Sequence, residues 1–434
     1  VANDPGAGRR SRWITGGDDG HGARAAYLLR LLAFIGPGVV VMLADTDAGS
    51  VVTAAQSGAR YGYQLVLPQV AMIPILYSVQ EITARLGLVT GRGQSALIRS
   101  AFGARWALPA AATLFVACAG AMITEFAGVV GVGELAGVPR WVSTTAAVAT
   151  LTLLVLAGRY RRVEFIGIVL GALELAFVAA AILARPHAGA VVHGLTSPIQ
   201  ADRAYLTLLA ANVGSTVIPW MVYYQQGAVA DKGRRGLPLQ EALRVARADT
   251  ALGAVVCQLV TIAIITAVAA TVHSGGGAQV GLSSIGDIAA ALRPVVGRAA
   301  VILFGVGMIG AALLAALVIS LAGAWSIAES MGWHHSLNDS PRQALGFYGL
   351  AVAGLGIGAV PVLFFPNLVA LTIDIEVLNA CLLPIVLAFL VALERRALPE
   401  ELRLRGLRRG ATYLGIGAVI GFGIYTGVRT LVGR

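Results

Sequence analysis

The chain has 434 residues, 57% of them hydrophobic and only 12% charged, with a mean hydropathy of +0.79. Soluble proteins carry about 45–50% apolar and about 25% charged residues, so a soluble domain with a large core is excluded and a polytopic membrane protein is indicated. The net charge of +10 would suggest nucleic acid in a soluble protein. Here basic cytoplasmic loops account for it, and neither a nucleic-acid nor an obligate protein partner is implied.

Residues 1–28 are polar, Gly-rich and Arg-containing and read as a disordered cytoplasmic tail. They do not read as a cleaved signal, because no short apolar stretch with a cleavage site precedes the first span. Residues 29–434 read as one transmembrane domain. A spanning helix needs roughly 20 apolar residues. All-α spans are predicted near 30–58, 63–88, 107–136, 141–157, 164–183, 203–229, 248–272, 298–328, 344–364, 367–393 and 411–431. Gly36-Pro37-Gly38 predicts a bend low in span 1, since both residue types weaken a helix interior. Spans 1–5 (29–184) and 6–10 (203–394) have matching layouts, the expected signature of an inverted repeat, and span 11 is peripheral.

Basic residues lie before span 1 (Arg9, Arg10, Arg12, Arg24, Arg30) and in the loops after the even-numbered spans. These loops include Arg92, Arg99 and Arg105, then Arg159, Arg161 and Arg162, then Lys232 to Arg247, and finally Arg395 to Arg409; the loop after span 8 has only Arg342. The opposite loops carry fewer, so the N-terminus is expected in the cytoplasm and the C-terminus outside, in the cell membrane.

Two spans are broken at their centres by polar residues. Span 1 reads Ala44-Asp45-Thr46-Asp47-Ala48-Gly49-Ser50, and span 6 reads Gly214-Ser215-Thr216-Val217-Ile218-Pro219-Trp220. Interrupted helices in corresponding positions of two halves point to a secondary transporter with its site at the midplane. Unwound carbonyls lose their helical partners, and a cation satisfies them directly. On this reading Asp47 supplies charge and Ser50 a neutral oxygen. Carbonyls near Ser215 and Thr216 supply further oxygens, and Pro219 holds the second break open. The alternative is that Asp47 merely caps the second half of span 1, and one carboxylate oxygen can serve each role. Asp45 is a second ligand, a vestibule charge or a solvated residue.

Glu376 and Glu125 are further intramembrane acids, expected to face protein rather than lipid, with helix packing as the alternative to function. Glu164 and Glu174 lie nearer polar company, and Glu164 reads as an ion-pair residue beside Arg161 and Arg162. Cys118, Cys257 and Cys381 read as small buried hydrophobes, and His334-His335 as a surface pair. Ser274-Gly275-Gly276-Gly277 falls in an external loop and is no phosphate-binding loop. No HExxH occurs in the spans, so an intramembrane metallohydrolase is disfavoured. The chain reads as a non-enzyme without a cofactor.

The motifs resemble those of the natural resistance-associated macrophage protein family of divalent-metal transporters, from about 33 to 430. Asp47-Ala48-Gly49-Ser50 stands where the family has Asp-Pro-Gly-Asn. Gln56-Ser57-Gly58-Ala59, Tyr61-Gly62-Tyr63, the run Ala84 to Gly91, Arg162-Val163-Glu164 and Leu321-Ala322-Gly323 also match. The resemblance implies an eleven-span, LeuT-like fold and a transported metal ion as substrate. The departures are informative. The family's Met-Pro-His is Ile218-Pro219-Trp220 here, which removes a thioether ligand; Asn becomes Ser50, and a Gln of span 10 becomes Glu376. Loss of sulfur and gain of carboxylate shift the expected preference to hard Mg2+, with Mn2+ still accepted. The family's proton route uses a span 6 His and a span 3 Asp. These positions are Trp220 and Met122, which leaves Glu125 as an isolated acid. The combination resembles the magnesium-transporting branch, which moves Mg2+ and Mn2+ without protons. The alternatives are a proton-coupled Mn2+ and Fe2+ transporter and a sodium-coupled amino-acid transporter of the same fold.

Overall fold

The computed structural model describes residues 36–156, 160–198, 202–234, 236–273, 282–296, 298–337 and 339–432. The N-terminal tail with its arginines, Arg159, Arg235 and the Ser274–Gly277 loop lie outside these residues, as do the side chains of Arg161, Arg162 and Glu164.

Apolar composition and the absence of water in a bilayer favour structures that satisfy every backbone group internally. The described residues are accordingly helical, with no strand among them. Among the described residues, eight helices are long and apolar enough to cross a membrane, and the bent pair Pro37–Asp45 and Ala48–Tyr61 makes a ninth. Arg140–Leu156 is apolar but shorter. Val66–Thr90 has 25 residues and carries Glu81 and Arg85, which lower its hydropathy. With these two, every one of the eleven predicted spans is present. The remaining spans are 104–135, 160–183, 203–232, 239–273, 298–331, 345–363, 368–397 and 406–432.

The architecture is LeuT-like, with each repeat opening on an interrupted helix. Span 8 packs on span 3, span 7 on span 2, and the first half of span 6 on span 10. Spans 2 and 7, and spans 3 and 8, occupy corresponding places in the two repeats. The two interruptions differ in shape. Span 1 bends by 47° between Asp45 and Ala48. Span 6 loses helical hydrogen bonding at Val217 and Ile218, yet Arg203–Lys232 still runs as one span of 30 residues. Pro219 opens its second half at the first helical position, where a missing N–H costs nothing.

Three expectations need correction. Gly36-Pro37-Gly38 is a helix start, not an interior bend: Pro37 sits in the first turn. The Asp249 carboxylate of span 7 accepts from the N–H groups of Gly36 (3.0 Å), Gly38 (2.8 Å) and Val39 (3.2 Å). Those are the orphan donors that every helix N-terminus presents. Span 7 begins at Leu239, so Arg244 and Arg247, expected in a loop, lie on the helix. Span 5 is not continuous: Tyr160–Ala172 and Leu175–Leu183 are separated at Leu173–Glu174.

Candidate ion-binding centre

The break in span 1 is built by its own capping chemistry. Asp47 is the N-cap of Ala48–Tyr61, and its Oδ1 accepts the Ser50 N–H at 2.7 Å. Its Oδ2 has no hydrogen-bond partner among the described residues, although the side chain is fully buried. Capping and a free oxygen therefore coexist on one carboxylate. The Ser50 hydroxyl lies 2.7 Å from the Asp45 carbonyl and 2.9 Å from the Ser215 carbonyl. The backbone oxygens of both breaks thus meet at one side chain.

Glu376 of span 10 closes the same centre. Its Oε2 accepts from Asn379 Nδ2 at 3.0 Å, whereas Oε1 is buried without a partner among the described residues. The partner of its Oε2 is thus an amide of the same helix rather than the hydroxyl or Arg that the packing alternative expected. A methyl group on Gly49 would collide with Glu376 Oε1 and lie 3.2 Å from Asp47 Oδ1. One on Gly214 would overlap the Glu376 backbone carbonyl. Both broken helices therefore approach span 10 through glycines, at the level of Glu376.

Glu125 is not isolated, as expected from sequence, but is tied into the break. Its Oε2 accepts from Ala48 N–H at 3.0 Å, and its Oε1 from Thr124 Oγ1 at 3.1 Å. An acid at a helix N-terminus is favoured there by the helix dipole. Met122, one turn earlier, packs instead on Gly358 of span 9. Trp220 is fully buried in the first turn of the second half of span 6, its indole N–H without a partner among the described residues. Ile218 is the N-cap of that half and fully buried, and offers no side-chain donor atom.

Asp45 is 1% exposed, which rules out the solvated reading. Its Oδ2 accepts from the Cys257 thiol at 3.1 Å, so Cys257 is more than a small hydrophobe, and its Oδ1 is left without a partner among the described residues. The Thr216 side chain is engaged elsewhere. Its hydroxyl donates to Asn212 O (2.8 Å) and lies 3.2 Å from Gln69 Oε1. Gln69 Nε2 in turn reaches Asn212 Oδ1 at 2.6 Å, and Asn212 Nδ2 reaches Ser57 Oγ at 2.8 Å. This polar chain links spans 1, 2 and 6 beside the breaks. His334 and His335 are on the surface, with side-chain exposures of 82% and 43%.

Sequence reading missed Glu174 and Thr46. Glu174 sits at the interruption of span 5, fully buried, with neither oxygen hydrogen-bonded among the described residues. Its carboxyl faces the Thr46 hydroxyl of the span 1 break. The signal was present, since Glu174 is an acid inside an apolar run, but nearby Arg and Glu residues made it look peripheral. No three His, Cys, Asp or Glu side chains converge as metal ligands among the described residues. Any ion held here needs neutral oxygens besides one or two carboxylates, as an unwound backbone provides.

Two helices that unwind against each other, with buried acids at the break, define a secondary transporter of the LeuT-like class. The sequence profile described as natural resistance-associated macrophage protein-like matches residues 38–429, and the chain belongs to that family. It is a membrane transporter, not an enzyme. The divalent metal cation transporter MntH of Acidiphilium cryptum is 28% identical over 405 residues, covering 91% of this chain and 89% of the relative. The protein of the same name from Aeromonas hydrophila subsp. hydrophila is 30% identical over 302 residues, covering 67% and 72%. Among solved structures, the Eremococcus coleocola manganese transporter is similar in fold, with a TM-score of 0.76 at 19% identity, over 94% of this chain and 87% of that one. MhsT, solved with L-phenylalanine, gives a TM-score of 0.59 at 15% identity, over 92% and 98%.

Proposed function

We propose that this chain moves divalent metal cations across the cell membrane by alternating access, Mg2+ foremost and Mn2+ as well, without coupling to protons. One observation carries the reading. Asp47 Oδ2 and Glu376 Oε1 are buried, have no hydrogen-bond partner among the described residues, and belong to carboxylates that flank Gly49. Two unpaired carboxyl oxygens buried inside a bilayer are costly, and a dication bound between them satisfies both. The ligands on offer are Asp47, Ser50, the Ser215 and Thr216 carbonyls and Glu376. Asp45, whose Oδ1 is free, stands beside them. These are oxygens, and hard oxygens suit Mg2+ and Mn2+. Ile218 supplies no sulfur where the family's Met would. With the N-terminus inside, a potential of about 100 mV supplies roughly 4.6 kcal/mol for a divalent ion, enough to drive uptake without a proton.

A second reading, a proton-coupled Mn2+ and Fe2+ transporter, draws on a specific observation. Glu125 reaches the same helix start as Asp47, and Glu174 stands behind Thr46, so buried acids line the break on two sides. Reconstituted vesicles containing a pH dye separate the two readings. With a negative-inside potential, Mg2+ and Mn2+ should enter with no internal acidification. Acid entering together with the metal would favour the second reading.

A further inference from the structure

Where span 10 ends and span 11 begins, the surface carries a groove of about 530 Å³. Its inner walls are apolar, from Val391 of span 10 and Ile416 and Ile420 of span 11, and its mouth carries Arg395, Arg396 and Tyr413. Both arginines are solvent-exposed at the last turn of span 10. Neither forms an ion pair with an acid among the described residues. Arg395 lies 5.6 Å above the Tyr413 ring. Arg396 lies 4.7 Å above the Phe102 ring and donates to the Ala101 carbonyl at 3.3 Å. Arg409 also lies over the Tyr413 ring, at 5.5 Å.

The neighbouring acid forms no ion pair with either arginine among the described residues. Glu394 is 1% exposed, and its two oxygens are taken by the Leu404 N–H and the Tyr413 hydroxyl, each at 2.7 Å. That second bond also holds the tyrosine ring in place as a platform for the guanidiniums. The groove therefore presents fixed positive charge above an apolar trough at the end of a membrane-spanning helix. Trp106, 58% exposed and packed near Phe389 at 6.2 Å, is the kind of aromatic that sits at headgroup level.

We propose that this groove binds an anionic phospholipid. Its phosphate is held by Arg395 and Arg396, which present fork-shaped donors matched to phosphate oxygens, and one acyl chain lies along Val391, Ile416 and Ile420. Basic pockets between transmembrane helices recognise lipid headgroups in this way. The site lies away from the ion-binding centre and does not depend on which ion is carried.

The test uses the purified full chain in detergent, titrated with phosphatidylglycerol or phosphatidylcholine of identical acyl chains and read by native mass spectrometry. Wild type should retain phosphatidylglycerol at least about tenfold more tightly than phosphatidylcholine. The Arg395→Ala, Arg396→Ala double variant should lose that preference, and the corresponding double Lys variant should keep most of it. Gly417 lines the groove with open space where a side chain would start. Gly417→Trp should fill the trough, leave both arginines intact, and weaken lipid retention as much as the double Ala variant. Equal retention of the two lipids by wild type would overturn the proposal. So would full retention by Gly417→Trp, or displacement of the lipid by equimolar inorganic phosphate, because each would mean that charge alone holds an anion there.

Discussion

The Ser50 hydroxyl lies 2.9 Å from the Ser215 carbonyl oxygen, joining two interrupted helices that are 165 residues apart in the chain. The same hydroxyl lies 2.7 Å from the Asp45 carbonyl. A hydroxyl has one proton, so it donates to one of these oxygens at a time, and the other stays under-satisfied. On the proposed reading, a cation held there would meet three oxygens, the two carbonyls and the hydroxyl.

Ser50→Ala removes that junction without adding bulk. The protein should still fold, since the Asp47 cap uses the Ser50 backbone rather than its side chain. One lost neutral oxygen ligand corresponds to about 1 kcal/mol, or roughly a fivefold rise in the Mg2+ concentration for half-maximal uptake. Vesicle uptake across a Mg2+ series measures it, and an unchanged curve would remove Ser50 from the site.

Asp47 caps a helix and is proposed to hold the ion, and substitutions can separate the two roles. Asparagine is as good an N-cap as aspartate, so Asp47→Asn should keep the melting temperature near wild type while abolishing metal uptake. Asp47→Ala should lose both uptake and some stability, by about 1 kcal/mol for the missing cap. If Asp47→Asn transports Mg2+ at the wild-type rate, the carboxylate is structural only.

The glycine contacts around Glu376 give a graded test. In Gly49→Ala the new methyl meets the end of a flexible side chain, Glu376 Oε1. The carboxylate can swing aside, so the protein should fold but bind Mg2+ at least about tenfold more weakly, as though a charge-assisted ligand had been lost. In Gly214→Ala the methyl meets the Glu376 backbone carbonyl, which cannot move without shifting span 10. That variant should be destabilised as well. Melting curves beside uptake assays would distinguish the two, and a more severe folding defect in Gly49→Ala than in Gly214→Ala would contradict this packing.

Much of this centre was legible in the sequence because polar residues in an apolar run have few explanations. The breaks at Asp45–Ser50 and Gly214–Trp220 fall where the polar letters and Pro219 place them, and Asp47 and Glu376 stood out as intramembrane acids. The role of Glu125 was not legible, because its partner is a backbone N–H 77 residues away. The interruption of span 5 was hidden for a related reason. No proline marks it, and Glu174 makes sense only beside Thr46, on another helix. Gly36-Pro37-Gly38 was misread because the capping acid, Asp249, lies 213 residues from Gly36. Local chemistry reveals where a helix must stop, but only packing reveals what replaces its hydrogen bonds.

Ion selectivity is where the sequence makes its sharpest claim. Ile218 is the N-cap of the second half of span 6, fully buried, and follows directly on the Ser215–Val217 carbonyls. Its side chain has no lone pair, so the residues proposed as ligands offer oxygen alone. Ile218→Met swaps one buried apolar side chain for another of similar size, a change that usually costs under about 1.5 kcal/mol of stability. It also introduces a thioether, which favours soft ions. The variant should therefore gain about tenfold in competition by Cd2+ against Mg2+ uptake, with a smaller gain for Mn2+ and little change for Ca2+, which prefers hard oxygens. If Cd2+ competes no better than in wild type, the residue at 218 does not face the ion, and the proposed preference for Mg2+ loses the argument from the missing thioether.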